Sequence, residues 1–261
     1  MLELNKIFNA DCLEIMPQIE DKSVDMVLCD LPYQVLNKDN PNAQWDRLIP
    51  FEPLWEQYKR IIKDNGAILL FSQMPFGAKL ICSNIKLFRY EIIYRKNNIT
   101  GFLNANKMPL KIHENILVFY KKLPTYNPQK VQTQESRKQK IIRVKNGSKN
   151  YGEQSDYVSI EDGSRMPVDI IEFEMPSKNA TLNKKYDHPT QKPVALCEYL
   201  IKTYTNEGDI VLDNCMGSGT TAIAAIRTKR QYIGFEIEQK YFDIINERIR
   251  EEVRLQKRKL F

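Results

Sequence analysis

Short apolar runs alternate with longer amphipathic segments at both ends of the chain. Val24–Cys29 is a short, mostly apolar run that predicts a buried strand. Leu54–Lys63 carries its apolar residues on one face, which predicts a helix. Asn65-Gly66 then interrupts the chain before the apolar run Ala67–Phe71, a second predicted strand. Two further strands are predicted over Tyr90–Arg95 and Asn115–Tyr120.

The last quarter of the sequence repeats this alternation. The predicted elements are a helix over Pro193–Tyr204, a strand over Ile210–Leu212, a helix over Thr220–Arg227, a strand over Tyr232–Phe235, and a final helix with Phe242, Ile245, Ile249 and Val253 on one face. Strands that alternate with helices indicate an α/β protein with a doubly wound, mostly parallel sheet.

The middle of the chain, residues 124–185, is polar and has few sustained periodic runs. Within it, residues 129–150 hold seven basic residues and one acid, so the basic surplus of the chain is concentrated there. A solvated insertion and a phosphate-contacting surface both fit this composition. For the second, the candidate contacts are Lys138, Lys140, Arg143 and Lys145. We expect residues 1–123 and 186–261 to form two halves of one domain around this insertion.

Composition narrows the class of protein. With 261 residues, 42% hydrophobic and 28% charged, the chain is typical of a soluble globular protein. No apolar stretch is long enough to cross a bilayer, and no secretory signal is recognisable. Five scattered cysteines without a Cys-x-x-Cys pair argue against a disulfide framework or a structural zinc site and favour the cytoplasm. With only two histidines, no metal site is predicted.

A glycine turn between a strand and a helix is the first chemical signal. The segment 210–221 runs from a predicted strand through Asp213 and Gly217-Ser218-Gly219 into a predicted helix. Glycines allow close backbone approach to a ligand, and the following helix offers free N–H groups. Glu236 ends the next predicted strand, where a carboxylate can accept hydrogen bonds from ribose hydroxyls. A plain tight turn and a nicotinamide-binding loop, which the pattern fits through Ala222, remain alternatives.

The second signal is Asp30-Leu31-Pro32-Tyr33, which directly follows the predicted strand 24–29. In an open parallel sheet, residues just beyond the carboxyl end of a strand face the ligand crevice. Asp30 can accept a hydrogen bond from an amino group, and the carbonyl of Leu31 or Pro32 is a second acceptor. The ring of Tyr33 can stack on a planar base. A simple strand-ending turn is the alternative.

Together these segments resemble the amino-group DNA methyltransferases. Asp30–Tyr33 resembles their Asp-Pro-Pro-Tyr motif, and Asp213–Thr221 is similar to their S-adenosylmethionine loop. His188–Pro193 resembles the segment that precedes this loop in the family. The catalytic motif comes first and the cofactor loop last, which resembles the circularly permuted β group. Leu31 replaces the first proline of the motif, and residues 214–216 replace Pro-Phe-x.

The resemblance implies a role for each matching residue. Asp30, Leu31, Pro32 and Tyr33 would be the catalytic residues, and Asp30 and Tyr33 among them would hold the flipped target base. The residues implied to bind S-adenosylmethionine are Asp11, Thr190, Gln191, Lys192, Asp213, Cys215, Gly217, Ser218, Gly219, Thr220, Thr221 and Glu236. Among them, Gly217–Gly219 would wrap the methionine part, Glu236 would hold the ribose, and Asp11 would meet the adenine of the cofactor. An N-cap on the following helix is the alternative for Asp11.

The combined prediction is a Rossmann-like, S-adenosylmethionine-dependent methyltransferase acting on adenine N6 in double-stranded DNA, with residues 124–185 reading the sequence. Cytosine N4 is the main alternative target. A nicotinamide-dependent dehydrogenase would explain the glycine turn but not residues 30–33 or the basic insertion. A non-catalytic DNA-binding subunit would explain only the charge. The resemblance places the protein in the cytoplasm of a bacterium or its phage and leaves a homodimer and a cognate restriction endonuclease open.

Overall fold

The computed structural model describes residues 2–35, 46–132, 140–144, 157–161, 163–177 and 186–258. The strands in chain order are β1 (Lys6–Asn9), β2 (Val24–Cys29), β3 (Ile62–Ser72), β4 (Phe88–Thr100), β5 (Lys111–Phe119), β6 (Val131–Gln132), β7 (Lys140–Val144), β8 (Tyr157–Glu161), β9 (Ser164–Arg165), β10 (Ile170–Phe173), β11 (Ile210–Asp213) and β12 (Gln231–Glu236). The helices are α1 (Cys12–Ile15), α2 (Phe51–Ile61), α3 (Phe76–Ser83), α4 (Val194–Tyr204), α5 (Thr220–Arg227) and α6 (Gln239–Arg258).

One compact unit, Met1–Asn127 with Asp169–Phe261, is built on an eight-stranded sheet. Its strand order is β1-β12-β11-β2-β3-β5-β4-β10. Neighbouring strands are parallel except that β5 runs antiparallel to both β3 and β4. The predicted doubly wound, mostly parallel α/β sheet is therefore confirmed.

The sheet is covered on both faces, which explains why its strands read as apolar runs rather than as a simple alternation. Met26 and Leu28 of β2 pack into a core with α4 and α5. Val27 and Cys29 point to the opposite face and pack with α2 and α3. Successive side chains of a strand point to opposite faces, so both faces of β2 are buried.

The boundary between α2 and β3 differs from the sequence prediction. Helix α2 covers Phe51–Ile61 instead of residues 54–63, because Ile62 adopts extended geometry and begins β3. The predicted break at Asn65-Gly66 lies inside β3, where the pairing shifts from Val24 opposite Ile62 to Met26 opposite Ala67. A Cβ on Gly66 would lie 2.7 Å from the carbonyl oxygen of Asp25, so the close approach of the two strands requires glycine.

The second compact unit is Pro128–Val168. It contains two antiparallel pairs, β6 with β9 and β7 with β8. The sequence predicts an insertion over residues 124–185, but Ile170–Phe173 pairs with β4 and thus belongs to the large sheet. A four-residue strand is too short to give a periodic signal. Among the described residues, no helix is both long and apolar enough to cross a membrane.

We expect Ile68→Ala and Leu69→Ala each to lower the free energy of unfolding by about 2–5 kcal/mol. These neighbours on β3 are almost fully buried against opposite cores. Urea unfolding of both variants measures the effect, and Leu123→Ala, whose side chain is 78% exposed, is the control. A loss below about 0.5 kcal/mol at position 68 or 69 would mean that its face of the sheet is not covered.

Candidate active site

The carboxyl ends of β1, β2, β11 and β12 meet at one edge of the sheet. The chain continues from β2 to β3 on one side and from β11 to β12 on the other, so β2 and β11 flank a topological switch point. Open α/β sheets bind their ligands at such a point. A cavity of about 840 Å³ lies here, a volume suited to a cofactor-sized ligand.

The predicted catalytic and cofactor residues are brought together in this cavity. All four residues of Asp30–Tyr33 line it. So do eleven of the twelve predicted cofactor residues; the exception is Gly219. A Cβ on Gly219 would lie 2.9 Å from the side chain of Ile245, so this glycine faces helix α6 instead of the cavity. Its φ of +79° forms the turn that starts α5.

Gly217 lies close to a side chain of the protein itself, and its predicted approach to a ligand stays a prediction. Its φ is +55°, and a Cβ there would lie 2.9 Å from Nε2 of His188. Any side chain at position 217 would therefore push against the segment that closes the cavity. The residues before α4 are tied to α5 as well, because the Thr220 hydroxyl donates to the carbonyl of Lys192 at 3.2 Å.

Two buried carboxylates lie beside this turn. Glu236 accepts hydrogen bonds from the backbone N–H groups of Gly217 (2.7 Å) and Glu238 (2.9 Å). Burial raises the pKa of Glu236 to about 7, although these two donors act in the opposite direction. Asp213 accepts a hydrogen bond from the N–H of Cys215 at 3.0 Å. Burial raises the pKa of Asp213 to about 6.

Asp11, Thr190 and Gln191 also line the cavity. Asp11 caps helix α1 by accepting from the N–H of Leu13 at 2.8 Å, and it also lines the cavity. Its two expected roles are therefore compatible. Gln191 is buried and accepts from the N–H of Tyr186 at 2.8 Å. The N–H of Thr190 donates to Nδ1 of His188 at 3.3 Å.

Asp30 is held by two side chains on its two oxygens. The Tyr33 hydroxyl donates to Oδ1 at 2.7 Å, and the Lys192 ammonium donates to Oδ2. The Tyr33 ring stacks on Phe76 with 4.8 Å between centroids and 27° between planes. Burial raises the pKa of Asp30, and the charge of Lys192 opposes that rise. The site thus presents an acid and an aromatic ring in a fixed arrangement.

Sequence reasoning missed Glu114 and Lys96, which complete the surroundings of Lys192. One Glu114 oxygen lies 3.4 Å from the Lys192 ammonium, and the other lies 3.2 Å from that of Lys96. Burial acts to raise the pKa of Glu114, but the two ammonium groups outweigh it and hold that pKa below its ordinary value. These side chains form, with Asp30, a buried cluster of two acids and two cations. His188 was also missed as a site residue; burial lowers its pKa to about 4.

The side chains of the four predicted DNA-contacting residues lie outside the described part of the chain. Lys138 and Lys145 lie outside the described residues, and only the backbone of Lys140 and Arg143, in β7, is described. Their role stays a prediction. Across the described parts of the chain, no group of His, Cys, Asp and Glu side chains is arranged to hold a metal ion.

Fold and site together define a Rossmann-like enzyme whose crevice joins a nucleotide-type pocket to an acid and an aromatic ring. The model of the DNA methylase family, with N6 and N4 members, matches residues 24–247. The chain belongs to this family, which confirms the resemblance drawn from the motifs. The nicotinamide alternative is set aside.

Two relatives illustrate the similarity. Type II methyltransferase M1.MboII of Moraxella bovis is 29% identical over 94% of this chain and 96% of its own length. DNA adenine methyltransferase YhdJ of Escherichia coli K12 is 28% identical over 92% of this chain and 80% of its own length.

Solved structures share the fold at lower identity. The M1.HpyAVI–SAM complex has a TM-score of 0.61 at 24% identity, covering 93% of this chain and 98% of its own. The cytosine-N4-specific PvuII DNA methyltransferase has a TM-score of 0.62 at 16% identity, covering 90% of this chain and 83% of its own. The same fold thus occurs in a cytosine-N4 enzyme.

We expect Glu236→Gln to flatten the fall of stability with rising pH. Because the folded pKa of about 7 lies above the ordinary 4.5, the folded state binds more protons between these values. The free energy of unfolding therefore decreases as the pH rises through this window. Asp213 contributes a similar slope only up to about pH 6, so the change should be clearest between pH 6 and 7. Urea unfolding across this range measures it.

Glu247→Gln is the matched control, since Glu247 is exposed on α6. It should leave the slope between pH 6 and 7 unchanged. If the Glu236→Gln variant and the wild-type protein show the same slope there, the buried carboxylate is not the group that titrates.

Proposed function

We propose that this DNA methylase transfers a methyl group from S-adenosylmethionine to the N6 amino group of adenine in double-stranded DNA. One observation carries the proposal: the Asp30 carboxylate and the Tyr33 ring share a single cavity with the glycine turn and Glu236. A base-binding pair and a nucleotide-type pocket therefore open onto the same space. A non-catalytic DNA-binding subunit would not need this arrangement.

The residues present fit the cofactor. Glu236 is a buried acceptor at the end of β12, suited to the two ribose hydroxyls. Gly217 and Ser218 line the cavity, and the missing side chain at position 217 lets the backbone of this turn come close to the methionine part. Asp213 would face its amino group, and Asp11 the adenine. The M1.HpyAVI–SAM complex, which has the same fold, supports this choice. When bound, the cofactor supplies an electrophilic methyl group on a sulfonium.

The chemistry then rests on residues of this chain. The lone pair of an exocyclic amino group is delocalised into the ring, so the nitrogen is a poor nucleophile. A hydrogen bond from that group to Asp30, with a second to the carbonyl of Leu31 or Pro32, favours a pyramidal nitrogen with an available lone pair. A carboxylate has about four lone-pair sites, so Asp30 can accept this bond beside those from Tyr33 and Lys192. Tyr33 would stack on the flipped base.

Adenine is favoured over cytosine by two observations. The motif residue at position 30 is aspartate, and YhdJ is an adenine methyltransferase that matches most of this chain. Cytosine N4 would use the same acceptors, and the PvuII enzyme shows that the fold accommodates it.

A homodimer and a cognate restriction endonuclease stay predictions from the resemblance.

We expect DNA from a methylation-free host that expresses the protein to carry N6-methyladenine in one sequence context. The same host expressing Asp30→Ala should carry none, although the purified variant should still bind S-adenosylmethionine. Sequencing that detects modified bases gives the base and the site together. Asp243→Ala, which changes a surface acid on α6, is the control and should methylate normally.

Methylated cytosine in that DNA would show that the target is cytosine N4 and not adenine N6. Unmodified DNA from the wild-type host would contradict the proposed activity. Methylation by Asp30→Ala at the parent rate would remove Asp30 from the mechanism.

The basic segment 129–150 is proposed to contact DNA phosphates. Each phosphate contact contributes about 0.9 to the slope of log affinity against log salt. Changing Lys138, Lys140, Arg143 and Lys145 together to Gln should therefore flatten this slope and weaken binding most at low salt. Titration of duplex DNA at several salt concentrations measures it, with cofactor affinity as the control. An unaltered slope would mean that residues 129–150 do not contact phosphates and are a solvated surface.

A further inference from the structure

Ten residues between β4 and β5 form a compact projection, residues 101–110, here called the tip segment. It begins at Gly101, whose φ of +90° turns the chain, and continues in a single 3-10 turn over Phe102–Asn104. Its backbone is hydrogen-bonded within itself: the N–H of Asn104 donates to Gly101 and that of Lys107 to Asn104, both at 2.9 Å. The tip segment therefore presents its side chains from an ordered backbone.

The tip segment exposes large apolar side chains to solvent. Leu103 is 98% exposed and Phe102 is 67% exposed. Ile99 and Met108, a few residues away in the sequence, are also exposed. Four large exposed apolar side chains within residues 99–108 are typical of surfaces that bind another molecule.

The tip segment lies beside the proposed base pocket. Strand β4 ends, and the antiparallel strand β5 begins, at the edge of the sheet where the cavity opens. Asn98 and Thr100, just before the tip segment, line the cavity. Glu114, just after it, belongs to the charge cluster that holds Lys192 against Asp30.

The charge of the tip segment and the strand ends beside it favours a polyanion as the partner. Residues 95–111 contain four basic residues and no acid. Arg95 and Lys96 pair with acids elsewhere in the fold, whereas Lys107 and Lys111 are exposed beside the apolar residues. Apolar side chains flanked by cations match a duplex, in which stacked bases lie between phosphate chains.

We propose that Phe102 and Leu103 form a wedge that enters the DNA duplex beside the target base. The inference rests on the proposed function, in which that base leaves the helix. Its departure opens a gap in the stack, and phenylalanine and leucine are among the side chains that proteins insert between base steps. The wedge occupies the gap and disfavours return of the base. Lys107 and Lys111 contact the neighbouring phosphates.

The test compares two duplexes that carry the methylation site mapped in the expressing host. In one duplex the target base is paired, and in the other it faces an abasic position, so that it leaves the stack more easily. We expect Phe102→Ala/Leu103→Ala to lower kcat/KM on the paired duplex about tenfold or more, since each 1.4 kcal/mol of lost wedge contact is tenfold. On the abasic duplex the loss should shrink to about threefold or less.

The control is Ile85→Ala/Leu123→Ala. These side chains are 61% and 78% exposed and lie at the opposite ends of the same two strands. This variant should match the wild type on both duplexes. A fluorescent base analogue at the target position reports flipping without methyl transfer, and its signal should fall in the wedge variant only. Flipping is thus tested separately from the proposed methylation chemistry.

An equal loss of kcat/KM on both duplexes, with an unchanged flipping signal, would overturn the wedge proposal. If the variant also changes from dimer to monomer in sedimentation, the tip segment would instead mediate contacts between two copies of the chain, and the wedge proposal would be wrong. An undiminished rate on the paired duplex would also overturn the proposal.

Discussion

The site depends on the ion pairs that the buried ammonium group of Lys192 makes with two carboxylates, Asp30 and Glu114. The Lys192 side chain is only 10% exposed, and its ammonium also lies 5.1 Å from the centre of the Phe71 ring. A buried charge is tolerated only with partners, and removing one partner leaves the others uncompensated. Asp30 follows β2, Glu114 lies on β5, and Lys192 precedes α4, so one ion cluster joins three elements that are far apart in the sequence.

The balance of this cluster also sets what Asp30 can do. Lys192 alone would draw negative charge from Asp30 and weaken it as an acceptor for an amino group. Glu114 shares the same ammonium at 3.4 Å and is itself paired with Lys96 at 3.2 Å. Burial raises the pKa of Asp30, and the charge of Lys192 opposes that rise and so favours the carboxylate, which can still direct an oxygen to a ligand. Tyr33 fixes the orientation of that carboxylate.

The sequence was most informative where chemistry and regular structure coincide. Buried strands read as apolar runs, so β2, β11 and β12 and the acids at their ends could be located from the order of residues alone. Glu114 could not, because nothing in a local pattern shows that β5 runs antiparallel and therefore brings its first residues to the site. Gly219 looked equivalent to Gly217, but its packing against Ile245 depends on where α6 lies. Strand β10 is too short for periodicity, and its place is set by pairing with β4.

The protonation of the two buried acids beside the glycine turn bears on how a cofactor would bind. With pKa values raised to about 6 and 7, Asp213 and Glu236 carry part of their protons near neutral pH. Ribose hydroxyls and an ammonium group are donors, and donors favour the charged form of a carboxylate. In the proposed roles, a cofactor therefore binds best to the deprotonated pair and displaces protons as it binds. By linkage, its affinity rises with pH through this range, opposite in direction to the stability of the free protein. Burial of these acids thus lowers the stability of the free protein as the pH rises, and it also favours binding of a ligand that supplies hydrogen-bond donors.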